Sequence, residues 1–144
     1  MPHETLETFE APEGLSEVTF ATRVDVGCPY REEGRDEYEV TICYGPRALC
    51  AAAGSLEEFV KGYEHSTVSG EELATSIAER LGEALDPRHL RVELRLLNAP
   101  FELTACVERP NGTGDDRGMP RCAGIAGHPF REAEIVTDRV AEAR

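Results

Sequence analysis

The sequence predicts an α+β fold in which a four-stranded antiparallel sheet carries two helices on one of its faces. Three observations lead to this prediction: two alternating apolar and polar runs early in the chain, two helix starts near its middle, and two further alternating runs after them. Short connections within each pair of runs favour hairpins. At 144 residues, the chain is long enough to bury a core as one domain.

The first pair of runs predicts a hairpin. Residues 18–26 and residues 38–44 each alternate apolar with polar side chains, which is the period of a strand with one buried face. If the two runs pair, Cys28 ends one strand where Asp36 begins the next. We therefore expect a thiol and a carboxyl to meet at one end of this hairpin.

Two capping patterns predict the helices. In each pattern a serine precedes a glutamate by three residues, so that each side chain can satisfy a backbone amide of the other: Ser55-Leu56-Glu57-Glu58 and Ser69-Gly70-Glu71-Glu72. The first predicts a short helix that starts at Ser55. The second predicts a longer helix, which stops at Asp86-Pro87 and has one apolar stripe of Leu73, Ile77, Leu81 and Leu85.

The last two strands are expected over residues 90–96 and 101–108, on either side of the turn sequence Asn98-Ala99-Pro100. Beyond them a turn-rich polar segment precedes a short helix, expected at residues 131–143. The predicted organisation is a loose N-terminal arm at residues 1–14, a folded domain at residues 15–109, and a C-terminal extension at residues 110–144.

Composition limits the partners. The chain has 15 Lys and Arg against 28 Asp and Glu, a net charge of -13, which repels phosphate backbones and acidic lipids. This charge argues against tRNA and against a membrane as partners. The five cysteines are odd in number and lack close metal-type spacing, and no export signal or membrane span is visible. We therefore expect a cytoplasmic protein with free thiols.

Cys28 and Asp36 are the candidate catalytic pair. A thiolate is a strong nucleophile, and a nearby carboxyl can relay a proton during its attack. The alternative is that Cys28 is a small buried hydrophobe and Asp36 a turn or strand-start residue. His65 is interpreted as a solvated loop residue. Cys122 and His128 are too few ligands for a metal site, so no metal is expected.

The order of these motifs resembles the nitrile reductase family QueF. The matching pieces, which fall within residues 18–108, are Cys28-Pro29, Asp36, Tyr44-Gly45-Pro46, Ser55-Leu56, Glu71 and Asp86-Pro87-Arg88. The resemblance implies the tunnelling fold, in which ββααββ units assemble into barrels with active sites at subunit junctions. It therefore also implies a homo-oligomer.

The resemblance also implies chemistry on the nitrile of 7-cyano-7-deazaguanine, the base that leads to queuosine or archaeosine. Cys28 would add as thiolate to the nitrile carbon and form a thioimide, Asp36 would protonate the nitrogen, and Glu71 would bind the guanine-like edge of the base. A carboxylate in the first turn of a helix suits this last role, because it can accept two hydrogen bonds. The alternative for Glu71 is that it only stabilises the helix N-terminus.

Three departures from the reductases change the predicted reaction. Their Glu-x-Lys-Ser-Leu-Lys type segment, which helps to hold NADPH, is here Ala52-Ala53-Gly54-Ser55-Leu56-Glu57, without either lysine. The reductases have a His before the substrate-binding Glu, and this chain has Gly70 at that position. Their Arg-Gly-Gly segment is replaced here by Asn98-Ala99-Pro100. Because an acidic segment repels a phosphate-bearing cofactor, we expect no cofactor and a non-reductive reaction.

The expected second substrate is therefore ammonia or an amine, which would convert the thioimide into an amidine, as in members of the wider family that act on a base held in tRNA. The net charge of -13 favours a free base, a nucleoside or another small nitrile over tRNA. Two alternatives stay open. One is an NADPH-dependent 7-cyano-7-deazaguanine reductase, and the other is a catalytically silent module that binds a purine-like ligand.

Overall fold

The computed structural model describes residues 6–31 and 33–110. Its strands and helices follow one another as β1 (Thr8–Glu10), β2 (Val18–Gly27), β3 (Arg35–Gly45), β4 (Leu49–Ala51), α1 (Ala53–Lys61), α2 (Gly70–Leu85), β5 (His89–Leu96) and β6 (Thr104–Arg109). A 3₁₀ turn, Gly62–His65, extends α1. The mixed α+β class predicted from the sequence is confirmed.

The main sheet lies under the two helices. In the described part of the chain it has four antiparallel strands in the order β2-β3-β5-β6. Alternate side chains of the strands face α1 and α2, and together with them they form the core. The sheet contributes to this core Val24, Val26, Val40, Ile42, Leu90, Val92 and Leu94, which are all at most 2% exposed.

Helix α2 begins at the predicted capping box. The backbone N–H of Glu72 donates to the Ser69 hydroxyl (3.1 Å), and the N–H of Ser69 donates to the Glu72 carboxylate (3.2 Å). The helix ends at Asp86, whose φ of 49° is left-handed. The predicted apolar stripe is buried against the sheet: Leu73, Ile77, Leu81 and Leu85.

Helix α1 begins earlier than predicted, and the expected capping box at Ser55 is wrong. The helix starts at Ala53, its N-cap Ala52 makes no side-chain bond, and Ser55 lies inside the first turn. The Ser55 hydroxyl instead accepts a hydrogen bond from the backbone N–H of Glu7 (2.8 Å). The Ser55 hydroxyl, which the local pattern assigned to capping the helix, therefore bonds instead to Glu7, a residue distant in sequence.

The segment expected to be a loose arm contains a strand. Thr8–Glu10 forms β1, which pairs antiparallel with β4, and Ala52 N–H donates to Glu7 O (2.9 Å) next to this pair. The side chains of β1 are all exposed, Phe9 included at 49%. The strand is stabilised by backbone hydrogen bonds, and it has no apolar alternation that a sequence pattern could reveal.

Strand β6 begins later than expected. Its pairing with β5 starts at Arg95 and Thr104, so residues 97–103 form the connection between the two strands. Phe101, which was predicted on the buried face of this strand, is 61% exposed in that connection. The Leu96 N–H still donates to Leu103 O (3.0 Å), so pairing fades gradually towards the turn.

The face of the sheet that lacks helices carries a ladder of charged side chains. Arg95 lies 2.9 Å from Glu39 on β3, and Arg91 pairs with Glu93 (3.1 Å) and with Glu108 on β6. Pairs of this kind contribute about 1 kcal/mol or less each when exposed. This face is therefore polar.

The structure also bears on the expected free thiols and on the expected absence of a membrane span. Cys43 is buried and disulfide-bonded, which corrects the expectation of free thiols at that position, whereas Cys28 and Cys50 carry free thiols. No helix in residues 6–31 and 33–110 is long and apolar enough to cross a membrane. The helix expected at residues 131–143 lies outside the described residues.

Candidate active site

Cys28 is the first residue after β2, and it is only 9% exposed. Its N–H donates to the carbonyl of Gly34 (2.9 Å), and its own carbonyl accepts from the N–H of Arg31 (3.4 Å). These two bonds close the loop between β2 and β3 on itself. The thiol is therefore held at the end of the hairpin, where the sequence predicted it.

Gly27 brings the start of α2 to the same place. Its N–H donates to Ser66 O (2.9 Å), and its carbonyl accepts from the N–H of Val68 (3.2 Å), which makes a short parallel bridge. A Cβ atom at Gly27 would lie 2.7 Å from the Thr67 hydroxyl, so the close approach requires glycine. The segment that leads into α2 therefore runs directly beside Cys28.

Asp36 lies on β3 opposite Val26, two residues before Cys28. Its side chain is 13% exposed, and its Oδ1 accepts a hydrogen bond from Arg31 Nη2 (3.0 Å). The structure thus places Asp36 at the same end of the hairpin as Cys28, offset from it along the strand.

Arg31 connects the two predicted catalytic residues, and it was not among the residues predicted for the site. Hydrogen bonds to the Cys28 side chain and then to Asp36 raise the pKa of Arg31 above its usual value. One guanidinium therefore lies against both the thiol and the carboxyl group. The available signal was the arginine itself, three residues after a cysteine in a tight loop.

Asn98 fixes the backbone on both sides of Asp36. Its Oδ1 accepts from the N–H of Glu37 (2.9 Å), and its Nδ2 donates to the carbonyl of Arg35 (3.0 Å). The Arg35 guanidinium in turn donates to the carbonyls of Asp25 and Glu64 (both 2.9 Å). Asn98 belongs to the turn where the reductases carry Arg-Gly-Gly, so this departure from their motif supports the site.

Glu71 lies in the first turn of α2, one residue after Gly70, and it is exposed. The capping box uses its neighbour Glu72, so the carboxylate of Glu71 is not part of that box. Helix N-termini stabilise negative charge. The Glu71 carboxylate therefore lies exposed at the N-terminus of α2, and its role in binding a base stays a prediction.

Tyr38 on β3 lies among all three predicted residues. It is 3% exposed. Burial, followed by the charges of Asp36, Glu71 and Cys28, raises the pKa of Tyr38 to about 12, while a hydrogen bond with the backbone of Gly70 acts in the opposite direction. Cys28, Asp36 and Glu71 therefore surround one buried phenol. Their roles in a reaction stay predictions.

The remaining candidates contribute little to this site. Among the described residues, no group of three or more His, Cys, Asp or Glu side chains could hold a metal ion, and Cys122 and His128 lie outside them. His65 is exposed at the end of the 3₁₀ turn. In α1, Gly54 has open space around it and Glu57 is exposed.

A separate cleft lies at the other end of the sheet. Residues 10–15 line it together with Pro46, Arg47 and Arg88. Pro46 follows the last residue of β3, whereas Asp36 is near the first, and ten residues of strand span roughly 30 Å. The cleft is therefore remote from Cys28, and its lining includes none of Cys28, Asp36 and Glu71.

Comparisons with known proteins agree with the motif resemblance. No family model matches the chain. An archaeosine synthase of Pyrobaculum calidifontis is 26% identical over 91 residues, which cover 63% of this chain and 83% of that protein. The crystal structure of the archaeosine synthase QueF-Like in the apo form matches with a TM-score of 0.62 and 26% identity, over 69% of this chain and 95% of that one.

The two matches therefore name the same kind of protein, one through its sequence and the other through its fold. Each covers most of the length of the matched protein. Together with the motifs at Cys28, Asp36 and Glu71, these matches support the assignment of the chain to the QueF-like family.

Proposed function

We propose that the chain converts the nitrile of a 7-deazaguanine base through a covalent thioimide on Cys28, and that ammonia or an amine then gives an amidine. The observation that carries this proposal is the contact of Arg31 with both Cys28 and Asp36 at the end of the hairpin. The similarity to archaeosine synthases supports a role related to 7-deazaguanine.

In the first step, the Cys28 thiol gives its proton to the Asp36 carboxylate. The sulfur attacks the nitrile carbon, so a C–S bond forms while one C–N π bond breaks, and the proton passes from Asp36 to the nitrogen. Arg31 lies against both groups and offsets their negative charge. Asp36 acts first as base and then as acid.

In the second step, the amine nitrogen adds to the thioimide carbon. The C–S bond breaks, Cys28 leaves as thiolate and regains a proton, and the product is an amidine. No electrons are transferred, so the reaction needs no reductant. An exposed Glu57 in α1 and the absence of a lysine before Lys61 in that helix fit a reaction without NADPH.

Glu71 is proposed to bind the base. A carboxylate accepts two hydrogen bonds, and a guanine-like edge offers a ring N–H and an amino group side by side. The first turn of α2 supplies partial positive charge that stabilises the carboxylate. The bound base would then lie between Glu71 and the thiol of Cys28.

The substrate could be a free base, a nucleoside or a base held in tRNA, and the test distinguishes the free base from the base held in tRNA. The net charge of -13 led us to expect a free base or nucleoside, but the match to an archaeosine synthase gives no support for excluding tRNA. The experiment therefore supplies the nitrile base both free and incorporated in tRNA.

The test is product analysis by mass after incubation with the nitrile substrate and ammonium. We expect the wild-type protein to give a product with the mass of the base plus one ammonia. The Cys28→Ala variant should give no such product. The matched control is Cys50→Ala, because Cys50 is also a buried free thiol but lies on β4. Steady nitrile-dependent oxidation of NADPH would instead show a reductase. Binding without any product would show a silent module.

A further inference from the structure

The hydroxyl of Tyr38 occupies the N-terminus of α2. The side chain projects from β3 and is 3% exposed. Its hydroxyl lies so close to Gly70, the first residue of that helix, that a Cβ atom there would be 2.8 Å away, and a hydrogen bond with the Gly70 backbone lowers the pKa of Tyr38 against the effect of burial. The N–H groups of a helix's first turn have no partner within the helix. A phenol oxygen from the sheet therefore supplies one of these missing partners.

Gly70 has to be glycine for this contact to exist. A Cβ atom there would lie 2.8 Å from the Tyr38 hydroxyl oxygen, 2.9 Å from its Cε1 and 3.0 Å from its Cζ. The ring cannot move aside easily, because Tyr38 belongs to the packed core.

The backbone around Glu71 is thereby anchored on both sides. Gly70 before it is bound to Tyr38, and Glu72 after it donates its N–H to Ser69. Glu71 itself is exposed, and no side chain among the described residues forms a hydrogen bond or an ion pair with its carboxylate. Its position relative to Cys28 therefore depends on where the first turn of α2 is held.

We infer that Tyr38 is a positioning residue of the site: its hydroxyl fixes the first turn of α2 so that Glu71 meets a base lying against Cys28. This inference rests on the proposed role of Glu71 in binding that base. The Tyr38 hydroxyl is neutral at physiological pH, as any phenol with a pKa of 10.0 or above is, so it adds no charge beside Asp36 and Glu71.

Tyr44 provides a matched control. It also lies on β3, is fully buried, and accepts a backbone hydrogen bond, from the N–H of Ala51 at 2.9 Å. It lies at the other end of the strand from Asp36. Tyr38→Phe and Tyr44→Phe therefore remove the same kind of bond, and only the first removes it beside the candidate site.

The experiment measures the non-covalent affinity for 7-cyano-7-deazaguanine by calorimetry, with Cys28→Ala as the background for both variants. Loss of one hydrogen bond of about 1 kcal/mol or slightly more corresponds to a five- to tenfold weaker affinity. We expect this loss with Tyr38→Phe and a change of less than about twofold with Tyr44→Phe. With Cys28 intact, Tyr38→Phe should raise the half-saturating base concentration for adduct formation and leave the saturating rate unchanged.

Equal affinities for the two variants, or no binding to the Cys28→Ala background, would overturn the inference. Failure of the proposed function has a different signature. If the wild-type protein forms no adduct while Tyr38→Phe still weakens binding selectively, the covalent chemistry is wrong and the positioning role stands. If the adduct forms normally and Tyr38→Phe has no effect on affinity, the positioning role is wrong and the chemistry stands.

Discussion

Asp36 is restrained through both its side chain and the backbone on either side of it. Arg31 binds its side chain, and Asn98 binds the backbone of both neighbouring residues. A carboxylate that must accept a proton and return it to a nearby atom benefits from such restraint, because proton transfer requires hydrogen-bond distance. For this contact, the loop between β2 and β3 has to direct the Arg31 side chain back towards β3.

We predict that Asp36→Asn binds the nitrile base but forms the adduct and product about 10²–10⁴-fold more slowly, because the amide keeps the shape and loses the transferable proton. Single-turnover adduct formation followed by mass checks this prediction. Asp25→Asn is the control, since Asp25 is an acid on β2 that pairs with Arg35 (3.6 Å). An unchanged rate in Asp36→Asn would remove Asp36 from the mechanism.

A second prediction concerns the ionisation of Tyr38. Its pKa in the folded protein, about 12, lies above the usual value of 10.0, so the folded state holds this proton more tightly than the unfolded state does. The resulting stability is fully present below pH 10 and is lost as the pH rises towards 12. Tyrosinate absorbance during alkaline titration, compared with Tyr38→Phe, should isolate one late transition. A Tyr38 transition near pH 10 would contradict the buried position.

At the scale of elements, the two helices show what a local pattern can and cannot predict. The box at Ser69 forms because its two partners are three residues apart and α2 begins where they meet. The same spacing at Ser55 fails because the N–H of Glu7, 48 residues away in sequence, takes its hydroxyl. The same Ser-x-x-Glu pattern therefore forms a capping box at Ser69 and not at Ser55, where the segment leading into β1 lies beside the helix.

Ser69→Ala should lower the free energy of unfolding by about 1 kcal/mol, because it removes a formed N-cap. Ser55→Ala should cost less, since its hydrogen bond with Glu7 is exposed and links β1 rather than the helix end. Urea denaturation of both variants measures the difference. A larger loss for Ser55→Ala than for Ser69→Ala would contradict these assignments.

Strands β2, β3 and β5 were predicted close to their observed limits because alternation of apolar residues records the buried face of a sheet. The position of Cys28 and Asp36 at the same end of the sheet was predictable for the same reason, since one hairpin joins them. Arg31, Tyr38 and Asn98 were not assigned to the site, because their roles arise from contacts that no short spacing encodes. Tyr38 in particular fits the alternation of buried residues in β3, so the sequence pattern indicates a core residue and gives no sign of a role for its hydroxyl.

At the scale of the whole molecule, the sheet has two open edges in the described residues, at β2 and at β6. Edge strands expose backbone donors and acceptors, and pairing with another chain satisfies them. The charged ladder on the face without helices would line the inside of a barrel closed in this way. A polar lining suits a closed assembly with a solvated interior.

We therefore predict a closed homo-oligomer in which the β2 edge of one subunit pairs with the β6 edge of the next. Closed rings form when a head-to-tail contact repeats by rotation. Light scattering coupled to size-exclusion chromatography measures the mass of the assembly. A monomer at working concentration would contradict the assembly and any site at a subunit junction.

The central claim is that Cys28 bonds covalently to the nitrile carbon, and intact-protein mass spectrometry tests it most directly. The wild-type chain is incubated with 7-cyano-7-deazaguanine without ammonium, and any adduct is mapped by peptide analysis. We predict a mass increase equal to one base per chain, located on Cys28, retained in Cys50→Ala and absent from Cys28→Ala. A wild-type protein that binds the base without any mass increase, or an adduct on another residue, would contradict the claim.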